Sequence, residues 1–189
     1  MSDLFIIVGR TASGKDTLAE NITRLTGKTM AISHTTRKRR KGEGDTHIFI
    51  DDIEDYPHRW VDTYINGNYY FILEDDVKNN DIIIIDPIGL ASLLKQASFK
   101  RPYQVLYIDI DRETRCHRYT SRGNVPLDVF IQRDDAEHEQ FAAYEKLISN
   151  PQYRQDNNVT ILSNDDDIQH FLQSLSSGRA SINEASNMV

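Results

Sequence analysis

One cysteine in 189 residues, Cys116, leaves no partner for an intramolecular disulfide and no thiol cluster for a metal. That scarcity suits a reducing compartment, and the expected location is the cytoplasm. Long apolar runs are missing too. The longest hold about five residues, against the roughly 20 needed to cross a bilayer, so no membrane partner is expected. No leader is expected, because a folded strand already begins at Leu4. Basic residues are in the minority, with 22 Lys and Arg against 29 Asp and Glu, a net charge of −7 and a pI of about 5.3. This argues against a general nucleic-acid binder, but not against a nucleotide enzyme whose positive groups gather at one site. The six histidines are scattered without metal-ligand spacing, and there is no internal repeat.

What the chain does carry begins at once. The apolar run Leu4–Val8 is followed by Gly9-Arg10-Thr11-Ala12-Ser13-Gly14-Lys15, then by Leu18, Ala19 and Ile22 on one face of a predicted helix. A glycine-rich loop between a strand and a helix is a phosphate cradle. Gly9 and Gly14 allow a tight turn, the N–H groups of Ala12 to Lys15 converge on an anion, and the helix N-terminus adds partial positive charge. Lys15 then reaches the outer phosphates of ATP. The hydroxyl residue usual after the lysine is replaced by Asp16, and Thr17 follows. Either supplies a hard oxygen for Mg2+.

Strands and helices alternate along the chain, which predicts an α/β fold with a largely parallel sheet flanked by helices. Strands are expected at Leu4–Val8, Thr29–Ser33, Ile82–Ile85, Val105–Ile110 and Val159–Leu162. Helices are expected at Lys15–Thr26, Ile88–Gln96, Arg112–Ser121, Leu127–Ile148 and Asp165–Leu175. Residues 35–80 are richer in aromatics and charged turns, with period-two stretches at His47–Ile50 and Tyr69–Leu73 that predict a small, mostly antiparallel lobe. From Ser176 the chain is rich in Ser, Ala and Asn and reads as a flexible tail.

The segment Ser33-His34-Thr35-Thr36-Arg37-Lys38-Arg39-Arg40-Lys41 places five consecutive basic residues in an acidic protein. One reading is a solvated charge run. The other is a second anion site, with hydroxyl donors at Ser33, Thr35 and Thr36 and planar guanidinium forks at Arg37 and Arg40. Phosphoryl transfer between two anions needs cations at both ends.

With this segment, the phosphate loop, the Gly67-Asn68-Tyr69-Tyr70 turn, Asp86 and the Arg118/Arg122-Gly123 helix end in order, the chain resembles the guanylate kinase family over roughly residues 4–175. The resemblance implies a P-loop NTPase-type core, a small inserted lobe for a nucleoside monophosphate and a mobile lid. The core would comprise 1–34 and 81–175, the lobe 35–80 and the lid about 119–130, all in one domain. It implies ATP and Mg2+ as cofactors, small-molecule nucleotide substrates and a monomer or homodimer. It assigns Ser33, Arg37, Arg40 and Tyr70 to the acceptor phosphate, with His47 standing where the family has a tyrosine. Asp86 would lie near the acceptor base and ribose, although it reads equally as a helix N-cap before Pro87. Two guanine-reading positions depart from the family: Val61 replaces a glutamate, and Phe71-Ile72 replace Gly-Ser/Thr. Lys15, Arg118, Arg122 and Arg133 are the implied catalytic cations, the lid arginines reading otherwise as surface partners of Asp134, Asp135 or Glu137. Arg115 reads either way. Two alternatives stand beside this one. A kinase for another phosphate ester, such as ribose 1,5-bisphosphate, would fit the Asp after the loop lysine and the Gly42–His47 segment. A non-catalytic binding module would be expected to have lost Lys15 and the lid arginines.

Overall fold

The computed structural model of the chain describes residues 3–39, 44, 47–65, 67–121 and 126–186, with side chains as far as residue 177. The chain runs β1 (Leu4–Gly9), α1 (Lys15–Thr26), β2 (His34–Thr35), β3 (Ile48–Phe49), β4 (Arg59–Ile65), β5 (Asn68–Leu73), α2 (Glu74–Asn79), β6 (Ile82–Ile84), α3 (Pro87–Leu94), β7 (Tyr103–Ile108), α4 (Arg112–Thr120), α5 (Leu127–Ile148), α6 (Pro151–Asp156), β8 (Val159–Leu162) and α7 (Asp165–Ser186).

The main sheet is parallel throughout, in the order β6-β1-β7-β8. Its central strand β1 and its neighbour β6 are near-continuous apolar runs because both faces are covered. Along β1 the side chains alternate between two cores. Leu4, Ile6 and Val8 join Leu90 and Leu93 of α3 and Phe141, Tyr144 and Ile148 of α5. Phe5 and Ile7 join Leu18, Ala19 and Ile22 of α1 and Leu172 of α7. This is the expected α/β class. A second sheet, β3-β2-β5-β4, pairs β5 antiparallel to both β2 and β4. His34 stacks on Phe71 within it, centroids 5.0 Å apart.

Several boundaries differ from the expectation. Residues 29–33 do not form a strand of the main sheet. They touch it at one parallel bridge, Met30 to Ile82, before the chain crosses to the smaller sheet at His34. Helix α3 stops at Leu94, and β7 spans Tyr103–Ile108. The last helix runs on to Ser186, so the expected flexible tail from Ser176 is helical backbone for most of its length. No proline interrupts that stretch, and a helix already nucleated at Asp165 adds residues at little cost. Short helices α2 and α6 carry too few residues for a periodic pattern to announce them. No helix among the described residues is long and apolar enough to cross a membrane.

Candidate functional site

The glycine-rich loop leaves β1 at Gly9, where a Cβ would stand 2.7 Å from Ser13 Oγ and 3.0 Å from the Ile108 carbonyl oxygen. Only glycine fits so close a return of the chain. Gly14 takes φ 101° as the N-cap of α1 and offers no side chain to cap the first-turn N–H groups. A helix N-terminus without a side-chain cap is the physical basis of an anion site. Ala12 also sits in the left-handed region, at φ 61°. Ser13 is fully buried, and its Oγ has no partner among the described residues. Lys15 Nζ donates to the Arg10 carbonyl at 2.9 Å. Arg10 is tied down by Glu145 at 2.9 Å.

Above the loop opens a cavity of about 390 Å³ with three walls. Gly9, Thr11 and Lys15 form the first, completed by Arg133, Glu137 and Gln140 of α5. Ser33, Arg37, His47 and Tyr70 form the second. The third is mostly apolar: Val61, Ile65, Ile72, Ile84 and Ile85, with Thr63 and Asp86. One cavity therefore gathers Gly9, Lys15, Ser33, Arg37, His47, Tyr70, Asp86 and Arg133 from the sequence candidates. Arg40 and Arg122 lie outside the described residues, as do residues 122–125 of the expected lid.

On the second wall Ser33 Oγ and His47 Nδ1 are 2.7 Å apart, and the His47 and Tyr70 rings meet edge to face with centroids 5.8 Å apart. Thr35 Oγ1 accepts from the Arg37 backbone N–H at 3.1 Å, and the Arg37 guanidinium lies 5.3 Å from the Phe49 ring centre. On the third wall Asp86 Oδ1 accepts from Gly89 N–H at 2.8 Å and from Thr63 Oγ1 at 3.2 Å. Asp86 thus caps α3 and lines the cavity at once. Burial pushes its carboxyl up, with those hydrogen bonds and the Lys15 charge opposing.

The remaining candidates fall elsewhere. Asp16 and Thr17 are exposed on the first turn of α1 and do not line the cavity. Two hard oxygens at the mouth of an anion cradle are of the right chemistry for Mg2+, which takes one or two protein oxygens and keeps its waters. Arg118 lies on the outer side of the loop, where it donates to Ser13 O at 3.1 Å and forks onto Asp165 at 2.8 and 3.0 Å. Arg133 lies over the Tyr119 ring at 5.6 Å.

Arg115 has a structural place. It is 3 % exposed and donates to Asp134 at 2.7 Å, to Ile110 O at 3.1 Å and to Thr11 O at 3.2 Å. The residues that sequence reading passed over are Thr11 and Glu137. Glu137 Oε1 accepts from the Thr11 N–H at 2.7 Å, and Oε2 accepts from its hydroxyl at 3.1 Å. Burial pushes the Glu137 carboxyl up, opposed by the Thr11 bonds and the charges of Lys15 and Arg115. The available signal was the spacing of Arg133 and Glu137, one helical turn apart on one face.

The fold is an α/β architecture in which one cavity is lined by the glycine-rich loop, α5 and the smaller sheet. A guanylate kinase of Psychrobacter arcticus is 28 % identical over 144 residues, covering 69 % of this chain and 68 % of that one. The crystal structure of guanylate kinase from Anaplasma phagocytophilum superposes with a TM-score of 0.58 at 17 % identity, covering 95 % of this chain and 86 % of that one. No family model matches the sequence. The chain is similar to these guanylate kinases and shares the α/β fold of the second, a parallel sheet flanked by helices.

Proposed function

We propose that this chain transfers the γ-phosphoryl group of ATP to the phosphate of a nucleoside monophosphate. The observation that carries the reading is the single cavity with Lys15 and the phosphate loop on one wall and Ser33, Arg37, His47 and Tyr70 on another. Phosphoryl transfer is catalysed by positioning and by positive charge around the migrating group. Lys15 and Arg133 bring charge from inside the cavity. Arg118 is a third source, because its exposed pair with Asp165 (side chain 75 % exposed) is weak and exchanges readily. Arg122 is assigned the same role and Arg40 the acceptor phosphate by the family resemblance. Mg2+ held near Asp16 and Thr17 would neutralise charge on the triphosphate. No general base is required, since the acceptor phosphate is already ionised.

The third wall favours a nucleotide over a sugar bisphosphate. Its isoleucines suit the flat face of a base, and a second phosphate placed there would meet the Asp86 carboxylate. Guanine's amide edge presents two donors, and with valine at position 61 only Asp86 stands on that wall as a carboxylate acceptor. The base therefore needs a direct test. A coupled assay with ATP and Mg2+ against ribo- and deoxynucleoside monophosphates and ribose 1,5-bisphosphate should release ADP with at least one nucleotide. Release with the sugar bisphosphate alone would replace the acceptor assignment, and silence with every acceptor would favour a binding module.

Arg37→Ala should raise the KM for the acceptor about 10- to 100-fold, as expected for losing one or two charge-assisted hydrogen bonds. The KM for ATP should stay within about twofold, since Arg37 belongs to the proposed acceptor group and not to the loop. An acceptor KM that does not move would remove Arg37 from the site.

A further inference from the structure

We infer that Glu137 is a positioning residue for the phosphate loop: its carboxylate, with Arg115, takes up every hydrogen-bonding group of Thr11 and so fixes where the loop presents its remaining N–H donors. The N–H and hydroxyl of Thr11 go to the two oxygens of Glu137 at 2.7 and 3.1 Å, and its carbonyl accepts from Arg115 at 3.2 Å. The two side chains come from α5 and α4, more than a hundred residues away along the chain. Thr11 is thereby withheld from a phosphate, while the next loop N–H groups follow from Ala12, that of Ser13 turning back to the Arg10 carbonyl at 3.1 Å.

Two observations separate this from ordinary packing. The next residue, Ala12, is held at φ 61°, a conformation a residue with a Cβ avoids unless its neighbours enforce it. A clamp on Thr11 supplies that enforcement. The anchor is also a carboxylate lining the cavity that receives phosphates, where a negative charge opposes substrate binding. A glutamine would fill the same space without that cost, but its single oxygen serves two donors poorly. The charge earns its place by accepting from both donors at once. The charged groups around Glu137 are Lys15 at the start of α1, Arg115 of α4, and Arg133 and Asp134 on its own helix.

The catalytic consequence rests on the kinase reading; the anchor does not. The test begins with amide NMR spectra of the whole chain recorded from about pH 4 to 8, a window around carboxylates raised by burial. The Thr11 amide proton should titrate in the wild type above the ordinary glutamate range and stay flat in Glu137→Gln. A Thr11 amide that behaves alike in both would overturn the inference. The acceptor found active then serves for turnover. Thr11→Val should lower kcat about tenfold with the acceptor KM unchanged, and Thr11→Ser should recover most of that loss. Adding Thr11→Val to Glu137→Gln should cost little more. Wild-type kcat in Thr11→Val, or losses that multiply in the double variant, would also overturn it. If the wild type shifts no loop amide with Mg-ATP and turns over no acceptor, the kinase reading fails, while the titration still judges the anchor.

Discussion

Lys15→Met is expected to lower the phosphoryl-transfer rate about 10²- to 10³-fold, the scale for removing one preorganised donor from developing charge. Methionine keeps the length of the side chain and removes its ammonium. Lys15 Nζ rests on the neutral Arg10 carbonyl at 2.9 Å, a contact a phosphate outcompetes because an ionised acceptor binds an ammonium more strongly. The side chain lines the cavity and belongs to neither main core, so a thermal melt should move by less than about 3 °C. The two measurements belong together. Loss of rate with an unchanged melt supports the role, and a rate within a fewfold of wild type would remove Lys15 from the chemistry.

Asp134→Ala should have the largest effect on stability, about 3–5 kcal/mol, the range for stripping one partner from a buried ion pair. Arg115 is 3 % exposed, and Asp134 at 2.7 Å is its carboxylate partner, with Glu137 at the edge of reach at 4.0 Å. Without Asp134 a guanidinium would remain desolvated between α4 and α5. In a domain of this size the melt should fall by roughly 10 °C. Asp134→Asn, which keeps a hydrogen-bond acceptor, should fall between the two. The pH dependence has a definite sign. Burial pushes the Asp134 carboxyl up, but the hydrogen bonds and charges of Arg112 and Arg115 outweigh it and hold the group below the usual carboxylate range. Its contribution is therefore present above about pH 4, the unfolded carboxylate value, and is lost as pH falls through the lower folded value. The gap in stability between wild type and Asp134→Ala should narrow only in that acidic window. A gap that widens on acidification would reverse the assignment. Because Arg115 also holds the Thr11 carbonyl, the stability of the α4–α5 contact and the geometry of the loop share one side chain.

The parts of the site readable from sequence are those whose chemistry lies in a few consecutive residues. The strand, the loop glycines, Lys15 and the helix after it form one unbroken stretch, and the structure returns β1 and α1 within a residue of expectation. Ser33 and Arg37 were readable for the same reason. His47, Tyr70, Asp86 and Arg133 were placed by resemblance, since nothing local tells a cavity residue from a strand residue or a cap. Asp86 turned out to satisfy both descriptions. The short strand expected at Thr29–Ser33 is a single bridge at Met30 followed by a crossing to His34, because β-propensity reports fitness for a sheet and not which sheet supplies a partner.

By itself the sequence determined that a glycine-rich loop with a lysine follows the first strand, that a cationic cluster follows the first helix, and that unbroken apolar runs demand a sheet covered on both faces. These follow from glycine geometry, side-chain charge and hydrophobic burial, which act over a few residues. Only the tertiary structure decided that the glycine-rich loop and the Ser33–Arg37 segment line one cavity, that Arg115 belongs to a buried pair, and that Glu137 grips Thr11 from 126 residues away. Those contacts depend on how the helices settle on the sheet, and that packing is decided by the whole core at once rather than by any stretch that can be read alone.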